Sequence, residues 1–113
     1  CLSQSLLNVL LTTSNLIKRQ EFAHAYQRLS NVQKYLLWLI RIETYKTKHW
    51  ESPTKSLEND IDPDWYSLFQ QTTSELDPTD IKTAFKKTLT LTEKLFDNLG
   101  VEAKLKGVLR RIE

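Results

Sequence analysis

Residues 22–44 read FAHAYQRLSNVQKYLLWLIRIET, and this stretch decides the fold. Phe22, Ala25, Tyr26, Leu29, Val32, Leu36, Leu39 and Ile40 recur at three- and four-residue steps and run on to Glu43 and Thr44. That period lines one face of an α-helix, whereas a strand would alternate every second residue. The spacing predicts one long amphipathic helix. Upstream, Leu2, Leu6, Leu10, Thr13, Leu16 and Ile17 repeat the pattern and predict a first helix. Neither Gly nor Pro occurs between Cys1 and Ser52, so nothing local forbids helix there. The break between the two helices is expected in the polar run Lys18 to Glu21.

The chain after residue 44 is punctuated differently. Pro53 requires the second helix to have ended before it, because proline removes a backbone donor and clashes with the preceding turn. Ser56 to Asp60 reads as one or two helical turns. Asp62-Pro63 is an N-cap followed by a first-turn proline, opening a segment with Trp65, Leu68 and Phe69 on one face. Asp77-Pro78 repeats the device and opens a helix through Ile81, Phe85, Thr88, Leu89, Leu95, Phe96 and Leu99. Gly100 can end that helix in a left-handed C-cap. Val101 to Ile112 forms a last amphipathic piece through Leu105, Val108, Leu109 and Ile112. The expected fold is all-α, a mostly antiparallel bundle of four to five helices in one domain over residues 1–113. No fixed-period repeat suggests a solenoid.

Composition narrows the functional classes. A chain of 113 residues supports one core. Its 40% hydrophobic and 27% charged residues with a net charge of +2 are those of a folded protein, and give no support to generic nucleic-acid binding. The apolar runs LLNVLL and YLLWLI fall far short of the roughly 20 residues that cross a bilayer, so no membrane partner is expected. The lone Cys1 closes no internal disulfide, which fits a reducing compartment and a cytoplasmic location. A start at CLSQSLLNVLL, without Met and already in helical rhythm, predicts that something precedes it.

Few residues carry a chemical signal. Gly100 and Gly107 are too sparse for a phosphate-cradling loop, and Cys1, His24 and His49 lack the paired spacing of a zinc site. Glu58, Asp60, Asp62 and Asp64 could attract magnesium, but such a run is more often loop and caps. His24 reads as a surface or structural histidine. His49 shares a helix end with Lys46 and Lys48, where exposed carbonyls favour cations. Arg41 stands out within LLWLIRIE, because an arginine among apolar neighbours either snorkels out or is held by a partner. Glu58 is the expected partner, with a structural salt bridge and a ligand contact equally open.

The run KRQEFAHAYQRLSNVQKYLLWLIRIE at residues 18–43, His49-Trp50, PTKSLENDI at 53–61, the run Phe69 to Asp77 and Ala84-Phe85-Lys86 together resemble the helical C-terminal domain of lincosamide nucleotidyltransferases. The likeness extends over nearly the whole chain. It implies a two-domain enzyme that moves a nucleoside monophosphate from a nucleoside triphosphate to a hydroxyl of a lincosamide-like antibiotic, with Mg2+. In that superfamily an N-terminal domain carries Gly-Ser followed by Asp-x-Asp, a combination this chain does not contain. The resemblance therefore makes this chain the substrate-binding and dimerisation half, with no catalytic residue, metal or cofactor of its own. Its implied partners are the N-terminal nucleotidyltransferase domain, the antibiotic and a second copy of the chain.

By the same resemblance Arg41 and Lys55 are nucleotide-binding, while Trp50, Glu58 and His49 line the substrate pocket. A tight Gly expected near the first helix junction is Gln20 here, which predicts a longer or shifted turn. The alternative is a non-catalytic helical interaction or dimerisation module with a HEPN-like fold. A HEPN-type ribonuclease is disfavoured, because Arg41 and His49 are separated by seven residues where the Arg-x4-6-His signature needs four to six.

Overall fold

In the computed structural model, which describes residues 2–44, 54 and 57–112, the long periodic stretch is a single helix, α2 (Phe22–Glu43), folded back against α1 (Leu2–Lys18). Three residues make the reversal. Gln20 takes the left-handed conformation at φ 61°, its N–H donates to Ile17 O at 3.0 Å, and Glu21 N–H donates to Leu16 O at 2.9 Å. These are the two bonds of a Schellman ending, which satisfies the last carbonyls of α1. Gln20 thus adopts the conformation that glycine would supply at least cost, and the turn is not lengthened.

The rest of the described chain comprises α3 (Leu57–Asp60), α4 (Pro63–Gln70), α5 (Pro78–Leu99) and α6 (Ala103–Ile112). The architecture is all-α. α2 packs against α1 and α5, and α6 packs against α5 and α1, so four helices close a ring around one core. Leu6, Leu10, Val32, Leu36, Ile40, Ile81, Leu95 and Phe96 fill that ring and are essentially inaccessible to water. Thr13, Thr88 and Thr92 are buried there too, each donating its hydroxyl to the carbonyl four residues earlier at 2.8 Å. Their burial therefore leaves no hydroxyl proton unpaired. Among the described residues, no helix is long and apolar enough to cross a membrane.

α4 lies over α2 and α5 with Trp65, Leu68 and Phe69 half-buried, the face its sequence announces. Lys94 of α5 holds its ammonium 5.1 Å from the Trp65 ring and adds a cation–π contact across the pair. The two Asp-Pro starts behave differently. Asp77 caps α5 by accepting from Asp80 N–H at 3.0 Å, whereas Asp62 has the extended N-cap backbone without a side-chain cap bond. Gly100 closes α5 at φ 67°. Tyr26, in phase with the core, lies at its margin and is 40% exposed.

The first turn yields a stability test. Gln20→Gly removes a left-handed penalty of about 1–2 kcal/mol but loosens the unfolded chain by about 0.4–1 kcal/mol, for a net gain near 0.5 kcal/mol. Gln20→Val, with a branched side chain at the same φ, is expected to lose about 1 kcal/mol or more. Urea midpoints in the order Gly, Gln, Val check this. Three equal midpoints would show that the turn carries no strain.

Candidate functional site

Arg41 lies in the last turn of α2, and its side chain has no exposure to solvent. Its Nη1 donates to Asp60 Oδ2 at 2.9 Å, and the Asp60 side chain is 21% exposed. A guanidinium taken out of water requires such a carboxylate, because neither its charge nor its donors can be left uncompensated at low dielectric. The expected partner was Glu58, and the structure replaces it with Asp60. Helical geometry explains the exchange: in the one-turn α3, Leu57 is the residue turned into the core. Asp60, three positions later, falls on the same side, whereas Glu58 turns outward. Glu58 instead accepts a hydrogen bond from the Tyr66 hydroxyl at 3.3 Å. Partial burial first, and then the Glu58 charge and that bond, push the Tyr66 phenol above its ordinary pKa.

α3 holds its place through few contacts. Four residues cannot sustain a helix in isolation, so Leu57, Ile61 and the Arg41–Asp60 pair position it. Asp60-Ile61-Asp62 and Asp62-Pro63-Asp64 each have Asp-x-Asp spacing, but no Gly-Ser precedes them. Asp60 is engaged by Arg41, while Asp62 and Asp64 are exposed at the start of α4. Among the described residues, no three His, Cys, Asp or Glu side chains gather as a metal ion would need. His49, Trp50, Pro53 and Lys55 lie outside the described residues. His24 is exposed on α2.

A second feature was not legible from the chain. Three adjoining hollows border the connection from α4 to α5 and its surroundings, and two of them are lined by α2. The first, about 400 Å³, is bordered by Gln71, Ser74, Glu75, Asp80 and Thr83. The second, about 160 Å³, shares Thr73 and Ser74 with it and adds Tyr26, Ser30 and Gln33. The third, about 290 Å³, shares Ser30 and Gln33 with the second and ends at Lys34, Thr54 and Phe69. The second and third lie along α2, while the first lies between the connection from α4 to α5 and the start of α5. Gln33 Nε2 donates to Thr72 O at 3.3 Å and ties that connection to α2, with Thr72 itself fully buried. Tyr26, Ser30, Gln33 and Leu37 are spaced four, three and four apart, the interval at which an α-helix presents one face. That interval was visible, but the loop facing it was not.

The Lincosamide nucleotidyltransferase-like, C-terminal domain family model matches residues 1–112. No curated protein matches the chain.

The Arg41–Asp60 pair predicts an asymmetric response to mutation. Asp60→Ala strands a buried guanidinium and is expected to cost about 3 kcal/mol, while Arg41→Met combined with Asp60→Asn stays within about 1 kcal/mol of the parent. Chemical denaturation of the two variants measures this. A double variant as unstable as Asp60→Ala would mean that the loss comes from packing and not from stranded charge.

Proposed function

The chain belongs to the lincosamide nucleotidyltransferase-like C-terminal domain family, and we propose that it is the substrate-binding half of a nucleotidyltransferase acting on a lincosamide-like antibiotic. The family match over nearly every residue carries this reading. In the proposed reaction a substrate hydroxyl oxygen bonds to the α-phosphorus of a nucleoside triphosphate, the bond to the pyrophosphate oxygen breaks, and the hydroxyl proton passes to a base. The base and the metal ligands are assigned to an N-terminal domain carrying Gly-Ser and Asp-x-Asp. The described residues of this chain do not fit a magnesium site, because Asp60 serves Arg41 and Glu58 receives the Tyr66 hydroxyl. Bound in that N-terminal domain, Mg2+ would neutralise the triphosphate.

The resemblance to the family supplies the roles within this chain. Lys55 contacts phosphate oxygens as a point charge, and Arg41, which is buried against Asp60, joins it only when that end of α2 opens and a phosphate oxygen replaces the carboxylate. Trp50 walls the substrate pocket, with Glu58 orienting the antibiotic and His49 at its edge. The enzyme works in the cytoplasm as a homodimer, and this domain supplies part of the dimer contact.

The test uses this chain joined to its N-terminal domain, with Mg2+, each of the four nucleoside triphosphates and lincomycin. The expected outcome is lincomycin heavier by one nucleoside monophosphate in mass spectrometry, and no turnover by residues 1–113 alone. Lys55→Ala is expected to raise the nucleotide KM about tenfold with an unchanged melting temperature, the usual effect of losing one charge-assisted hydrogen bond. Unmodified lincomycin with every nucleotide would remove the reading, leaving a non-catalytic interaction module.

A further inference from the structure

The outer face of α1 carries no charge where that of α5 carries many. Its exposed residues Gln4, Asn8, Leu11, Thr12 and Asn15 recur at three- and four-residue steps, and every one of them is neutral. Leu11 is 49% exposed in the middle of that stripe. The exposed stripe of α5 instead presents Lys82, Lys86, Lys87, Glu93, Lys94 and Asp97, the usual solvated face of a surface helix. Charge depletion around an exposed apolar side chain is the composition of an interface core. Beside the stripe, Asn8, Val9, Thr12 and Arg28 of α2 border a hollow of about 180 Å³, smaller than the roughly 300–1,000 Å³ of small-molecule pockets. Arg28 Nε is out of water there and has no hydrogen-bond acceptor among the described residues.

Neither packed helix offers Arg28 a carboxylate. α1 contains no acidic residue, Glu21 is engaged by Arg19 at 2.6 Å, and Glu43 lies about 22 Å further along α2. The neutral groups of the hollow are occupied with one another. The Thr12 hydroxyl donates to Asn8 O at 3.0 Å, and Gln4 Nε2 donates to Asn8 Oδ1 at 3.1 Å. A guanidinium donor held out of water without an anion is costly, and the planar fork matches the two oxygens of a carboxylate. We propose that the outer face of α1 is covered by the nucleotidyltransferase domain that precedes this chain in the proposed enzyme, and that this domain sets an Asp or Glu side chain in the hollow against Arg28. The carboxylate's hydrocarbon stem lies on Val9. No hydrogen bond or ion pair ties the Arg28 side chain among the described residues, so its Nε–H edge turns toward the entering group without breaking one. The matched family is a C-terminal domain, so the preceding domain joins at the start of α1. Thr12 stands about 15 Å along the helix from Leu2, within reach of a small domain about 30 Å across. The same face of a second copy cannot supply the carboxylate, because it brings another Arg28 and no acid. The proposal rests on the reading that such a domain precedes residue 1, and adds where it seats.

Two measurements on the full-length protein test it. In the first, Arg28→Lys keeps the charge and offers an amine, which a zero-length carbodiimide couples to any carboxylate it touches. Peptide mass spectrometry is expected to find position 28 joined to an Asp or Glu upstream of residue 1. In the second, maleimide labelling, read peptide by peptide in a Cys1→Ser background, compares Leu11→Cys with Lys87→Cys on the exposed stripe of α5. Leu11→Cys is expected to react at least about tenfold more slowly, and adding Arg28→Glu to restore most of its reactivity by setting two carboxylates against each other. The cross-link keeps the proposal testable whether or not the charge reversal folds. Position 28 left unlinked, a link to a carboxylate within residues 1–113 of the same or another copy, equal labelling at positions 11 and 87, or labelling unmoved by a folded Arg28→Glu variant would each overturn it. The two readings separate cleanly: shielding and cross-linking without nucleotidyl transfer remove only the enzyme. Transfer to lincomycin with position 11 as reactive as position 87 removes only the docking face.

Discussion

The buried guanidinium of Arg41 is the constraint around which the second half of the chain is arranged. Its place is set by α2, whose C-terminal turns are apolar on either side of it, so the charge cannot reach water where it stands. A carboxylate must come to it, and Asp60 does so from the end of a one-turn helix. That contact, with Leu57 and Ile61 beside it, fixes where the chain returns to the bundle. Asp62-Pro63 follows at once and starts α4, which is laid over α2 and α5 and delivers Thr72 to Gln33. Each step is short in sequence, so little freedom accumulates between the ion pair and the hollows along α2.

Much of this fold is legible in the residue pattern, for a physical reason. The helices of the ring are long and bury one face each, so their apolar period repeats enough times to be unambiguous, as in α2 and α5. Their ends are equally plain where the terminating residue has few alternatives: Gly100 in the left-handed region, proline at the first position of α4 and α5. Gln20 is the counterexample. Its left-handed φ comes from the packing of α1 on α2, which overrides the local preference of an unbranched side chain.

The site was less legible, because its decisive relations join residues distant in sequence. Arg41 announced that it needed a partner, yet Glu58 and Asp60 were equally available by composition. Only the rotation of α3, set by which of its residues Leu57 turns with it, decides between them. The hollows along α2 were hidden more completely. Ser30 and Gln33 sit at ordinary helix positions, and Thr72 to Glu75 read as a polar connection. Their meeting depends on the course of α4, itself a consequence of the ion pair. A pattern rule sees period and punctuation, but not the face that two such segments present to one another.

The connection beside those hollows is shaped by the ending of a helix. The last carbonyls of α4 have no partners within the helix, and Phe69 O and Gln70 O each accept both the backbone N–H and the hydroxyl of Thr72 and Thr73 respectively, the hydroxyls at 2.7 Å. Ser74 does the same for the connection by donating to Glu75 O. Each local repair consumes a proton that could otherwise have faced outward. The same residues that make the turn stable therefore border the hollow that Glu75 and Asp80 also line. Relieving the turn of its hydroxyls would free no donors for a ligand. Phe69 O and Gln70 O would still accept the backbone N–H groups of Thr72 and Thr73, at 3.0 and 3.2 Å. The turn is therefore held twice over, by backbone and by hydroxyl, at the same two carbonyls.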